Sequence, residues 1–172
     1  MKINIISDNN TVFNSFIREI RDVDIQNDSM RFRRNIERIG EVFAYEISKD
    51  MEYHSKEIQT PLGISKESII ITKPILATIL RAGLPLHQGL LNYFDQADSA
   101  FISAYRKDNS DGGFEVEVEY ISSPIIDNRT IILCDPMLAS GTSMVLAIEA
   151  LLLIGKPKHI HIVGVIASNE GV

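Results

Sequence analysis

Asp135 follows four apolar residues, Ile131, Ile132, Leu133 and Cys134, and is itself followed by Pro136, Met137 and Leu138. Five small or hydroxylated residues come next, Ala139, Ser140, Gly141, Thr142 and Ser143, and then a long apolar run, "MVLAIEALLLIG". In an open parallel sheet, ligands bind beyond the carboxyl ends of the strands. A buried strand ending on Asp135 delivers a carboxylate to such a place. Small residues let backbone N–H groups approach a ligand closely, and a helix N-terminus adds roughly half a positive charge. Strand, acid and loop in this order make a phosphate cradle beside a carboxylate, with Ser140, Thr142 and Ser143 as hydroxyl donors. The carboxylate repels phosphate, so its own partners are hydroxyl groups or a developing positive charge. A ligand with a phosphate at one end and vicinal hydroxyls in its middle satisfies both halves, and a ribose 5-phosphate is such a ligand.

The plainer reading is that Asp135 starts a turn and that Ser140 or Thr142 caps the helix. A nucleotide-binding P-loop is disfavoured, because no Gly-Lys-Ser/Thr follows the glycine, and a dinucleotide fingerprint is missing. Arg81 is the next residue of note. It comes directly after "ILATIL" and before Ala82 and Gly83, where solvation explains an arginine poorly. Arg31, Arg34 and Arg38 recur along one side of a helical segment and read as a solvated face. His54, His87, His159 and His161 are scattered, and none is assigned as a ligand or base.

These residues need elements to hold them. Residues 2–7 read as a short strand. "TVFNSFIREIRD" puts Val12, Phe13, Phe16, Ile17 and Ile20 on one helical face, and residues 29–48 form a second helix with Ser29 as N-cap and Phe32, Ile36, Ile39, Phe43 and Ile47 at helical spacing. "IQTPLG", 58–63, is a turn-rich connection. "ILATIL" is a buried strand ending at Arg81, and "AGLPLHQGLLNYF" a helix with Pro85 tolerated in its first turn. "SAFISAYR", 99–106, is a strand, and 107–113 a polar loop. "FEVEVEYI" then alternates strictly, with Phe114, Val116, Val118 and Tyr120 facing one way. "TIILC" at 130–134, a helix over 141–154 and "HIHIVGVIA" at 159–167 complete the chain. Strands alternating with helices predict an α/β fold with a mostly parallel central sheet flanked by helices.

Composition bounds the rest. A chain of 172 residues, 45% hydrophobic, suits one domain with a full core. A net charge of -6 argues against general nucleic-acid binding. One cysteine, Cys134, permits neither an internal disulfide nor a thiolate zinc site, and points to a reducing compartment, most simply the cytoplasm. No apolar segment is long enough to span a bilayer, and the N-terminus lacks the apolar region of a signal peptide.

"ILCDPMLASGTSM" resembles the 5-phosphoribosyl 1-pyrophosphate (PRPP) loop of the uracil phosphoribosyltransferases. That branch of the type I phosphoribosyltransferases has Asp-Pro-Met where most of the superfamily has two adjacent acids. "AYEISKD", "QTPLG", "PILATILRAGL", "SAYRK" and "VIASNEGV" resemble further stretches of the same family in the same order, from about residue 30 onward. The resemblance implies a type I phosphoribosyltransferase fold over 1–172, with an N-terminal helical part to about 60 and a flexible hairpin over the active site at about 104–122. It implies displacement of pyrophosphate from PRPP by N1 of uracil, giving UMP in pyrimidine salvage. Asp135 is then the catalytic carboxylate. PRPP is held by Arg81 and Arg106, by Asp135, Pro136, Met137 and Leu138, and by Ala139, Ser140, Gly141, Thr142 and Ser143. Mg²⁺ comes bound mainly through PRPP with no metal cluster of the protein's own, and some members take GTP as an activator. A homodimer or larger homo-oligomer is implied, with no nucleic acid or membrane as partner.

The sequence departs from the family at several points. Cys134 replaces the usual Val, Thr142 stands where many members have Gly, "LPLHQG" replaces a Gly-Met run, and "YISSP" lacks a Lys. Members continue past "EGV" into a segment that reads the uracil edge. This sequence stops at Val172, so no residue is assigned to uracil and base specificity rests on resemblance. Transfer to another base, a non-catalytic nucleotide-sensing regulator, and a plain phosphate-binding domain remain as alternatives.

Overall fold

The computed structural model describes residues 2–108 and 114–172, with backbone alone for 104–108 and 114–117. The expected strand at 2–7 is not formed. The chain there is extended only to a 3-10 turn at Ile6–Asp8, with Ile3 and Ile5 exposed, because no neighbouring strand lies beside it to take its backbone hydrogen bonds. Helix α1 (Val12–Arg21) starts at a capping box: Thr11 Oγ1 accepts from the Phe13 N–H at 3.3 Å, and Asn14 Oδ1 accepts from the Thr11 N–H at 3.2 Å. Helix α2 (Ser29–Ser48) has the predicted span, but its cap is Asp28. The Asp28 carboxylate, one residue earlier, accepts from the Met30 and Arg31 N–H groups at 3.1 and 3.0 Å, and Ser29 already belongs to the first turn. Two arginines of α2 make ion pairs: Arg31 grips Glu19 of α1 at 2.7 Å, and Arg34 reaches Glu37 at 2.7 Å. The Arg31 guanidinium and the Asn35 amide hold the Glu19 carboxyl down at about 2.

The helical part ends at Ser48, short of the expected boundary near 60. Strands β1 (Tyr53–Thr60) and β2 (Gly63–Ile70) follow as an antiparallel hairpin turning at Pro61 and Leu62, and this two-stranded sheet pairs with no other strand among the described residues. Sequence pattern misses it because β1 is exposed along nearly its whole length, so no apolar face alternates with a polar one.

The central sheet is built from β3 (Ile75–Leu80), β4 (Asp98–Asp108), β5 (Phe114–Ser122), β6 (Thr130–Leu138) and β7 (His159–Ala167), in spatial order β5-β4-β3-β6-β7. All pairings are parallel except β4 with β5. The strict alternation expected for β5 breaks at a bulge: Ser103 pairs with Tyr120, Ala104 with Val118, and Glu119 is the extra residue. The faces therefore exchange, so Val118 and Ile121 pack on the core while Tyr120 is exposed. Residues 109–113, most of the expected polar loop, lie outside the described residues.

Helix α3 (Leu84–Tyr93), with Pro85 in its first turn as expected, and helix α4 (Thr142–Ile154) lie on opposite faces of the sheet. On one face α1, α2 and α3 bury Phe13, Ile36, Ile39, Leu86 and Leu90 against Leu76, Ile132 and Val163; on the other, α4 buries Met144, Ala147 and Leu151 against Ile75, Ile79, Ile102 and Ile131. Burying each such large side chain stabilises by about 1.5–3 kcal/mol. No helix of the described residues is long and apolar enough to cross a membrane.

Helices α2 and α3 cross at Gly40 and Gly89. A Cβ on Gly89 would strike the Glu37 carbonyl and stand 2.9 Å from the Gly40 Cα. Gly89→Ala is therefore expected to destabilise, although alanine is the better helix former. Overpacking costs about 1–3 kcal/mol, and each kcal/mol lowers Tm by roughly 2–4 °C in a chain of this size. Scanning calorimetry checks this, and an unchanged Tm would show that the crossing yields.

Candidate functional site: the crevice between β3 and β6

From β3 at the centre, the chain goes to β4 on one side and, after β5, to β6 on the other. A crevice opens at such a switch point, beyond the carboxyl ends of the two central strands. Arg81 follows β3 and Asp135 lies in β6, so both predicted residues reach this edge.

Strand β6 does not end at Asp135, as the sequence pattern predicts. Its pairing with β3 stops at Thr78↔Cys134, but its pairing with β7 runs on through Asp135↔Gly164 and Met137↔Ile166 to Leu138↔Ala167. Asp135 is thus the first residue past the β3 ladder, with β7 on one side and no strand on the other. Pro136, which has no N–H to give, falls out of the register. The Asp135 carboxyl is half-buried, and burial raises its pKa to about 6 against the lowering effect of the Met137 N–H. Burial pushes the Cys134 thiol up to about 12, so it behaves as a small core residue.

The small-residue loop leads directly into α4. Its N-cap is Gly141, at φ 77°, a left-handed conformation that favours glycine. With no side chain, Gly141 gives no capping oxygen to the first turn, so neither Ser140 nor Thr142 is the helix cap. Their hydroxyls bond each other at 2.9 Å, and the Thr142 N–H is a long 3.5 Å from Ser140 Oγ. The helix therefore opens with donors that a phosphate can take.

On the β3 side, the Leu80–Arg81 peptide is cis and Arg81 is exposed. Gly83, two residues on, is buried against the other wall: a Cβ there would strike Thr78 Oγ1 and lie 3.2 Å from the Cys134 carbonyl. This close approach, with the Thr78 hydroxyl donating to the Cys134 carbonyl at 3.4 Å, sets the Arg81 turn beside the strand that carries Asp135. The backbone of Arg106 lies three residues past the last β3–β4 pair, Leu80↔Ser103, at the same edge; its side chain is outside the description. His87 is buried against Phe101, and His159 pairs with His161 on β7. Among the described residues no three His, Cys, Asp or Glu side chains converge as a metal site.

One set of contacts has no sequence signal. After β7, the Ser168 N–H donates to the Leu138 carbonyl at 2.9 Å, and the Ser168 hydroxyl donates to the Ala139 carbonyl. Ser168 Oγ in turn accepts from the Glu170 and Gly171 N–H groups at 3.2 and 3.1 Å. The turn 168–171 is packed under the loop, where a Cβ on Gly171 would come within 2.8 Å of the Ala139 carbonyl.

The fold is shared with phosphoribosyltransferases of known structure: a hypoxanthine-guanine phosphoribosyltransferase of Bacillus anthracis superposes with TM-score 0.55 at 16% identity, covering 78% of this chain and 68% of that one. A protein of Aquifex aeolicus superposes with TM-score 0.82 at 24% identity over 99% of this chain and 78% of its own. Residues 7–172 match the family model described as uracil phosphoribosyltransferase, and the chain belongs to that family. The uracil phosphoribosyltransferase of Porphyromonas gingivalis is 56% identical over 162 residues, 94% of this chain and 75% of that protein. That of Pyrococcus furiosus is 35% identical over 160 residues, 91% and 67% of the two chains.

The raised Asp135 pKa makes its ionised form a cost to the fold. The unfolded carboxyl titrates near about 4, so this stability term is full below that pH and is lost as pH rises through about 6. Asp135→Asn should raise stability at pH 7.5 by about 1 kcal/mol, discounted for partial exposure. The gain should vanish below pH about 4, and paired denaturant titrations at the two pH values check it.

Proposed function

We propose that this chain transfers the 5-phosphoribosyl group of PRPP to uracil. The uracil N1 forms the new bond to the anomeric carbon as the bond to pyrophosphate breaks; the N1 proton is lost to solvent, and the products are UMP and pyrophosphate. The observation that carries this reading is a half-buried carboxylate, Asp135, in the last stretch of a strand whose following loop enters a helix with backbone donors and hydroxyls. The names of the relatives supply the base.

In this reading each wall of the crevice has its task. Ala139 to Ser143 bind the 5-phosphate through backbone N–H groups and the hydroxyls of Ser140, Thr142 and Ser143. Pro136, Met137 and Leu138 carry the chain from the acid to that loop. Asp135, ionised, accepts from ribose hydroxyls and stabilises the positive charge that develops on the sugar as pyrophosphate leaves. Arg81 and Arg106 hold the leaving pyrophosphate with fork-shaped donors. The donor set suits Mg²⁺ that arrives on its substrate, since Asp135 stands without two further acids or histidines around it among the described residues. Bound there, the cation adds positive charge to the pyrophosphate side.

The same reading takes the chain as a homo-oligomer. An isolated two-stranded hairpin is marginal in water, yet β1–β2 carries exposed Ile58 and Ile64 and a fully exposed Leu62 at its turn. A second copy covers these side chains.

UMP formation from uracil and PRPP with Mg²⁺, followed by chromatography, tests the activity. Asp135→Asn should lower kcat by roughly 10²–10³-fold, the order lost with one preorganised electrostatic group; retained turnover would remove the carboxylate from the mechanism. Because the ionised form acts, kcat/KM should fall as pH drops through about 6. Leu62→Asp should reduce the mass measured by light scattering, and an unchanged mass would take the hairpin out of the assembly.

A further inference from the structure

Segment 135–138 loses β3 as a neighbour after Cys134 and is held on its β7 side. That ladder ends at Leu138↔Ala167, one residue before the loop. Ser168 continues the hold beyond it. Its N–H takes the Leu138 carbonyl at 2.9 Å, and its hydroxyl takes the Ala139 carbonyl. The hydroxyl oxygen is itself fixed by the N–H groups of Glu170 and Gly171, so its proton is directed at Ala139.

A trans peptide is planar, and its C=O and the following N–H point in opposite directions. Drawing the Leu138 carbonyl toward Ser168 turns the Ala139 N–H the other way. Drawing the Ala139 carbonyl toward Ser168 does the same for the Ser140 N–H. Two successive peptide planes are thereby set with their donors facing away from the turn 168–171. The left-handed Gly141 and the start of α4 follow at once.

From this we propose that Ser168 is a positioning residue for the phosphate cradle: it orients the Ala139 and Ser140 N–H groups toward the 5-phosphate without touching the ligand. The inference rests on the reading of loop 139–143 as the 5-phosphate site. Ser168 is exposed and outside the buried core, which separates its role from that of a packing residue.

Calorimetric binding to the whole chain tests it, with ribose 5-phosphate as one probe and inorganic pyrophosphate with Mg²⁺ as the other. Ser168→Ala should weaken ribose 5-phosphate about tenfold, the order of one lost hydrogen bond, and leave pyrophosphate within about twofold. Ser168→Thr keeps the hydroxyl and should restore ribose 5-phosphate binding. A Ser168→Ala chain that binds ribose 5-phosphate as the parent does would overturn the assignment of Ser168 alone. Equal loss for both probes, with a matching fall in Tm, would overturn it in favour of a structural role. A parent chain that binds pyrophosphate but no ribose 5-phosphate would overturn the reading of the loop itself, and Ser168 with it.

Discussion

The candidate site depends on a difference in length between two adjacent strands. β3 stops pairing with β6 at Thr78↔Cys134, and β6 continues along β7 for four more residues, to Leu138. Had the two strands ended together, Asp135 would be a ladder residue with neighbours on both sides or a loop residue with none. The offset leaves it fixed by one neighbour and open on the other side. Its backbone is held on the β7 side by the ladder pair with Gly164, and its carboxyl is half-buried. The same offset accounts for Pro136, which is tolerable in a strand where one side makes no demands on its missing N–H.

The walls of that crevice must also approach closely, and glycine makes this possible on each. Gly83 lets the turn after β3 settle on Thr78 and the Cys134 carbonyl, and Gly171 lets the turn after β7 settle under Leu138 and Ala139. A methyl group at either place would push one wall away. Behind them, the crossing of α2 and α3 at Gly40 and Gly89 draws the helical layer onto one face of the sheet, while α4 covers the other. The site is therefore carried by a sheet packed on both faces, and precision in a binding constellation comes from rigid supporting elements.

Asp135 bears a conflict between stability and chemistry. Burial raises its pKa to about 6, so near neutral pH the fold holds a charge it would prefer to neutralise. In the proposed reaction a positive charge developing on the ribose would relieve that cost only as pyrophosphate leaves, and an interaction stronger in the transition state than before it is what accelerates a reaction. By contrast, Glu19 has its charge stabilised at all times by Arg31 and Asn35, and serves to tie α1 to α2.

By itself the sequence determined the buried strand "ILATIL" and the last strand "HIHIVGVIA" residue for residue, the span of α2, the proline-started α3 and the order strand, acid, small loop, helix. These follow from local terms: apolar period, proline's fixed φ, and small residues before a helix. Only tertiary structure decided the rest. The hairpin β1–β2 is invisible to pattern because it buries almost nothing, and the exchange of faces in β5 arises from a bulge against β4. Residues 2–7 have the composition of a strand but no neighbour to pair with. Above all, the length of β6 is set by β7, and the carbonyls of Leu138 and Ala139 are held by Ser168, 29 residues from the second of them. Hydrogen bonds between distant segments leave no period or spacing in the chain, so which peptide planes face a ligand is settled only when the strands have come together.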